Sequence, residues 1–256
     1  MAPKIAVCAK PMNLFGKTMD YAVENNYPAI DWSFDLEGLS ILKSDGQMFF
    51  NLMSKNEDIE VRYHCFIENV ELAYVNSKMA EDSLDIFKFC ADKIRDFGGR
   101  FMTVHVGLWS KNPEEISWNN AVKNLSKLVD YGEAKGVTVC LENLKAGFTS
   151  DPGLFQKLIE LTGAKVTFDL GHANSSLHAK NGFIGLDFLK LMASHIVNAH
   201  VYEREEPHHI FPQDLSLIGP MLKHLLEETK CDWWVIELAD RQEVEYTRSL
   251  LQSLLI

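Results

Sequence analysis

Along the chain, short apolar runs rich in β-branched and aromatic residues alternate with longer stretches whose apolar positions recur every three to four residues. The first kind reads as buried strands and the second as amphipathic helices. Lys4 to Ala9 is the first strand, and Phe15, Met19, Ala22 and Val23 mark a helix over 15–26. Strands follow at 29–33 and 59–66, with helical material between them over 36–53, broken near Asp45-Gly46. A long helix over 78–97 stops at Gly98-Gly99, a normal C-terminal stop. Strand four runs from Arg100 to Gly107, and Asn112-Pro113-Glu114 opens a helix that ends at Lys135-Gly136. Strand five is 137–142, and Asp151-Pro152 caps a helix that stops at Thr162-Gly163. Strand six starts at Val166. A helix over 185–194, strand seven over 195–201, a helix over 214–229, strand eight over 231–237 and a helix over 241–255 complete the chain.

Strict alternation of strand and helix predicts a parallel sheet with right-handed crossovers. Eight such units in 256 residues predict one closed (β/α)8 TIM barrel, a single domain over 1–256, because that fold uses about 250 residues. The competing open, doubly wound sheet wants a glycine-rich phosphate loop after its first strand, and Cys8-Ala-Lys-Pro-Met-Asn13 has none.

Parallel strands covered on both faces are expected to be apolar, so polar residues at their C-terminal ends stand out. Strand three offers His64, strand four His105, strand five Glu142, strand six Asp169 with His172, strand seven His200 and strand eight Glu237. In a barrel these ends converge on one face, where active sites are built. Taken singly, a strand-end His packs in a core and an Asp caps the next helix. Six consecutive strands delivering such residues point instead to a cation that compensates the clustered charge. Oxygen and imidazole ligands without thiolate suit Mn2+, Co2+, Zn2+, Fe2+ or Mg2+.

Composition adds boundaries. With 46% hydrophobic and 24% charged residues the chain is an ordinary globular protein. The formal charge of -11 opposes a nucleic-acid surface. Five scattered cysteines with no C-x-x-C pair read as reduced, buried thiols. No apolar run reaches the ~20 residues a bilayer span needs, and no leader segment is evident, so a cytoplasmic location and no membrane partner are expected.

At Leu141-Glu142-Asn143, Phe168-Asp-Leu-Gly-His-Ala173, Asn198-Ala-His200-Val201 and Ile236-Glu237 the chain resembles the xylose-isomerase-like barrel superfamily. That superfamily includes sugar isomerases, ketose 3-epimerases, inosose dehydratases and endonuclease IV. The resemblance covers nearly the whole chain. For the single-metal sugar enzymes it implies four ligands, here Glu142, Asp169, His200 and Glu237. It further implies a metal-dependent isomerase or epimerase of a sugar, sugar phosphate or polyol, acting by proton transfer through a metal-bound enediolate. Glu142 and Glu237 are then the acid and base. His64, His105, His172, Arg204 and His208 line the substrate site, with Trp32, Phe66 and Trp109 as an apolar wall. The partner is a small sugar-like molecule, and a homo-oligomer is compatible with the reading.

The endonuclease IV branch holds three zinc ions, adding histidines on strands three and four and after the strand-six Asp, matched by His64, His105 and His172. Its Asp-x-His after strand seven has an altered counterpart in Glu206-Pro207-His208, and the segment from His209 to Asp214 lacks the usual glycines. An abasic-site phosphodiesterase is therefore the alternative activity. Against it stand the acidic balance and few candidate phosphate-holding cations: Lys10, Lys111, Lys145 and Arg204. A third reading keeps a binding barrel with a vestigial site.

Overall fold

A computed structural model describes residues 2–10, 15–34, 47, 49–107, 113–182 and 184–255. Eight parallel strands close into a barrel: β1 (Lys4–Cys8), β2 (Ala29–Ser33), β3 (Glu60–Cys65), β4 (Phe101–Val104), β5 (Thr138–Glu142), β6 (Lys165–Asp169), β7 (Ile196–Val201) and β10 (Trp233–Ile236). The two strands between β7 and β10, β8 (Arg204–Glu205) and β9 (His209–Ile210), form a small antiparallel hairpin above the barrel. Ladder neighbours follow chain order all the way round, with β10 pairing both β7 and β1.

Helices cover the outside, and side chains set their starts. Asn76 accepts from the backbone N–H groups of Lys78 and Met79 to open Ser77–Asp96, Ser117 opens Trp118–Lys135, Asp151 opens Pro152–Thr162 and Asp240 opens Arg241–Leu254. Two helices start later than their sequence pattern suggests. The expected helix at 112 is a 3-10 turn at Pro113–Glu115 before Trp118, and the one expected from Asp214 starts at Gly219. Pro220, in the first turn of the latter, sets that start. The expected 36–53 helix lies largely outside the described residues.

The strands alternate rather than being apolar throughout. Ile5 and Val7, Ile30 and Trp32, Val61 and Tyr63, Met102 and Val104, Val139 and Leu141, Val166 and Phe168, and Trp234 and Ile236 join one large core cluster. That cluster fills the layer between sheet and helices. The opposite parity faces the barrel axis. On β1, β2 and β10 it is a small apolar group of Ala6, Cys8, Ala29, Trp233 and Val235, joined by the buried Asp31 of β2. On the other strands it is mostly polar: Arg62 and His64, Thr103, Glu142 (above Cys140), Thr167 and Asp169, and Asn198 and His200, all buried.

Arg62 plugs the base of this column. Its guanidinium donates to Asn198 Oδ1, to the Val197 carbonyl at 3.2 Å and to Asp232 Oδ1 at 2.8 Å. It also stacks over Phe101 and Trp233 at 3.9 and 4.4 Å. Thr103 and Thr167 hydroxyls meet at 2.7 Å, and Asn198 donates to Thr167 at 3.1 Å. Arg62, Thr103, Thr167 and Asn198 are thus all partnered below the mouth. At the mouth, the loops after β4 and β5 touch backbone to backbone. A Cβ on Gly147, whose φ is 82°, would stand 2.0 Å from the Gly107 carbonyl oxygen.

Candidate metal centre

Interior parity carries four strand ends to one point. Glu142 closes β5, Asp169 closes β6, His200 is the penultimate residue of β7 and Glu237 follows β10. One ligand atom from each lies within 4.8 Å of the other three, and all four residues are buried. His200 Nδ1 sits 3.2 Å from Glu237 Oε2, 3.4 Å from Glu142 Oε2 and 3.6 Å from Asp169 Oδ2. Glu142 Oε2, Asp169 Oδ2 and His200 Nδ1 are each buried without a hydrogen-bond partner. Buried polar atoms left unpaired in this way cost about 1–3 kcal/mol each, more when charged, so convergent orphans need an explanation. A divalent cation bound by three carboxylates and an imidazole supplies one.

Hydrogen bonds fix the supporting geometry. Asp169 does cap the following helix, Leu170–Ser175, since its Oδ1 accepts from the His172 N–H at 2.6 Å. That leaves Oδ2 to face the centre. Asn143 clamps the same residue through both backbone groups, accepting from Asp169 N at 2.8 Å and donating to Asp169 O at 2.9 Å. On Glu237, Lys10 holds Oε1 at 2.9 Å and leaves Oε2 toward His200. Burial works against charge on both glutamates. For Glu142 the imidazoles of His200, His105 and His64 overcome it, and for Glu237 Lys10 and His200 do, so both carboxyls lie well below the usual range. Burial likewise opposes a charged His200, but Glu142 and Glu237 prevail and raise it well above the ordinary histidine value. An entering cation would displace that proton.

Two further groups adjoin the first. His64 and His105 meet Nε2 to Nε2 at 2.9 Å, and both face Glu142 Oε2, at 3.3 and 3.2 Å. Burial drives His64 down to about 3, against the pull of Glu142. His105 lies just past the end of β4. On the hairpin side, His172 is flanked by acceptors: Nδ1 is 3.0 Å from the Asn143 carbonyl and Nε2 is 3.1 Å from Glu205 Oε2. Burial lowers its pKa, but Asp169, Glu142 and Glu205 outweigh that and leave it well above normal. Lys145 anchors the other Glu205 oxygen at 2.8 Å. Ligand atoms of His172, Glu205 and His209 also fall within 4.8 Å of one another.

Beside these groups opens a cavity of about 260 Å³, lined by Phe66, His105, Leu144, Lys145, Ala146, His172 and Glu205. The structure places several sequence-derived candidates elsewhere. Arg204 lies on the hairpin surface, paired with Glu203 at 2.7 Å, and His208 is exposed between β8 and β9. It is His209 that turns inward, stacked on Tyr202 with centroids 3.9 Å apart and donating Nδ1–H to the Glu237 carbonyl at 2.6 Å. Trp32 packs outward against Phe15, whereas Phe66 does line the cavity. Trp109 and Lys111 lie outside the described residues.

Two site residues have no counterpart among the sequence candidates. Glu205 sits in the hairpin, which no strand pattern announces. Asp31 is mid-strand on β2, yet its parity puts it inside the barrel, where an oxygen of its carboxylate lies within 4.8 Å of ring nitrogens of His64 and His200. Burial raises its pKa to about 7, His200 pulling it down and Glu237 and Glu142 adding to the rise.

Residues 19–254 match the model of the family described as xylose isomerase-like TIM barrel. The chain belongs to this family. An uncharacterized protein of Methanocaldococcus jannaschii, MJ0008, is 31% identical over 178 residues, which is 68% of this chain and 74% of that protein. A D-tagatose 3-epimerase-like protein superposes with a TM-score of 0.78 at 19% identity, over 98% of this chain and 97% of the other. The probable 3-DHS dehydratase AsbF from Bacillus anthracis superposes with a TM-score of 0.73 at 12% identity, over 99% of both chains. These similarities establish the barrel of the xylose isomerase-like family. The chemistry has to be argued from the side chains of this member.

Proposed function

We propose that this xylose isomerase-like barrel is a divalent-metal-dependent isomerase or epimerase of a sugar, sugar phosphate or polyol. The observation that carries the reading is the convergence of Glu142 Oε2, Asp169 Oδ2 and His200 Nδ1, buried and unpartnered, on one point with Glu237. Glu142, Asp169, His200 and Glu237 would hold the cation. Bound there, it supplies a Lewis acid that makes the C–H beside a substrate carbonyl or hydroxyl easier to deprotonate.

The remaining work falls to the chain. Glu142 and Glu237 come from β5 and from the end of β10, so they approach the substrate carbon from different sides of the barrel. Lys10 holds the Glu237 carboxylate ionised, so that it can take the proton from the substrate carbon, and Glu142 can deliver one from the other side once it has itself taken a proton from solvent. His105 lines the cavity and its Nδ1 is unpartnered, which suits a hydrogen bond to a substrate oxygen. Phe66 and Leu144 give the cavity an apolar wall against which the C–H face of a sugar can pack. A volume of about 260 Å³ is at the small end for ligand pockets and suits a monosaccharide rather than a polymer. The D-tagatose 3-epimerase-like neighbour agrees with this choice of reaction.

A second reading rests on the two adjoining groups, His64–His105–Glu142 and His172–Glu205–His209. Further cations there would make a multi-metal, water-activating phosphodiesterase for abasic DNA. Metal analysis beside two assays decides between them. One metal per chain, with ketose epimerisation and exchange of the substrate C–H for solvent deuterium, supports the sugar enzyme. Two or three metals, with nicking of an abasic duplex and no exchange, replaces it.

A further inference from the structure

His200 presents two buried nitrogens, and only one of them faces the candidate ligands. Nδ1 lies among Glu237, Glu142 and Asp169, leaving Nε2 on the far edge of the ring, buried and without a hydrogen-bond partner. A histidine that binds a cation through one nitrogen needs an acceptor at the other, because that bond fixes the tautomer and the ring orientation. Among the described residues, few acceptors are within reach. Glu142, Asp169 and Glu237 are on the Nδ1 side. Asn198, two residues earlier on β7, is committed to Arg62 and Thr167. Asp31 remains.

Asp31 is 3% exposed and faces the barrel axis from β2, where it is in register with Cys8 and Arg62. Arg62 does not satisfy it, since the guanidinium is spent on Glu60, Val197, Asn198 and Asp232 at the base. Its carboxylate instead lies within 4.8 Å of ring nitrogens of His200 and His64. His64 has its Nε2 turned to His105 and Glu142. A carboxylate buried below the metal-binding face, with no cation bonded to it, is expensive as packing and well placed as an orienting group.

We propose that Asp31 is the positioning residue for His200, accepting its Nε2–H directly or through one water and so presenting Nδ1 as the ligating nitrogen. The inference rests on His200 being a metal ligand. It makes β2, a strand that contributes no ligand, part of the metal centre.

The test is cobalt titration of the full chain, as wild type, Asp31→Asn and Asp31→Ala, by calorimetry and visible absorption. Outer acceptors of this kind are worth about 10–100-fold in metal affinity. Asp31→Ala should therefore weaken Co2+ binding about 10–100-fold, and Asp31→Asn, which keeps an acceptor but no charge, by less. The Co2+ ligand-field bands should shift in both. Thermal melts in EDTA should show little loss of stability in the Asn variant, which keeps the shape of the side chain and an acceptor for the His200 Nε2–H. A residue with only a packing role would lower the melt in EDTA and leave cobalt affinity and spectrum alone. Wild-type affinity and an unshifted spectrum in Asp31→Asn overturn the proposal, even if Asp31→Ala fails to fold. Failure of the metal reading itself would appear in the wild type, as no stoichiometric cobalt binding.

Discussion

Replacing Gly171 with alanine tests how tightly the hairpin side of the site is built. Gly171 follows the capping Asp169 in the Leu170–Ser175 helix, so alanine suits its backbone and would raise helix propensity. Space is the obstacle. A Cβ there falls 2.0 Å from Tyr202 Cε2 and 2.4 Å from both Cδ2 and Cζ. Ordinary contact needs about 3.5 Å, so ring or helix has to move roughly 1.5 Å. Tyr202 is fully buried, and His209 is stacked on it and anchored to the Glu237 carbonyl. Overpacking of a closed site costs about 1–3 kcal/mol, and this clash belongs at the upper end. At about 2–4 °C per kcal/mol for a chain of this size, Gly171→Ala should lower Tm by about 6–12 °C. Differential scanning calorimetry in EDTA measures it, and adding Tyr202→Leu should restore part of the loss. A Tm within 2 °C of wild type would mean that the ring yields freely, and the hairpin could not then be treated as rigid.

Asp169→Ala removes a ligand and a charge, so metal analysis should find no bound divalent cation; full occupancy would refute the four-residue centre. His64→Ala with His105→Ala should leave one metal per chain and mainly weaken substrate binding, whereas a lost equivalent of metal would favour the multi-metal reading. Burial raises the Glu205 carboxyl, but the bonds from His172 and Lys145 bring it to about 2. Its folded value lies below the ordinary 4.5, so its stabilisation is complete above pH 4.5 and is lost as pH falls toward 2. Urea midpoints at pH 5 and pH 3 should therefore converge in Glu205→Gln relative to wild type, and an unchanged gap would show that this ion pair is spent.

The barrel was legible because its signals are local and repeated: eight apolar runs alternating with helical periodicity, several of the helices marked by a cap such as Asp151 or a glycine stop such as Gly136. The strand-end residues were legible because parity and position coincide at the C-terminal edge. Interior parity further down was not. Ala29-Ile-Asp-Trp-Ser33 reads the same whichever side Asp31 faces, and only closure of the sheet puts Ile30 and Trp32 against the helices and Asp31 inside. The hairpin hid in the same way. Two-residue strands carry no periodicity, so nothing in Glu206-Pro207-His208-His209 says that the second histidine turns inward and the first stays in solvent. Helix starts at Trp118 and Gly219 were missed because Asn112 and Asp214 are good caps in isolation.

The contact between Gly107 and Gly147 bears on how this mouth can be remodelled. With a carbonyl oxygen 2.0 Å from where a Cβ would stand, the loops after β4 and β5 are one welded seam rather than two independent grafting sites. A library randomised at either glycine would sample mostly misassembled rims. The freedom to retune what enters the barrel lies instead in the exposed turn from Glu206 to His208, provided that Glu205 keeps its ion pair with Lys145, two residues before Gly147.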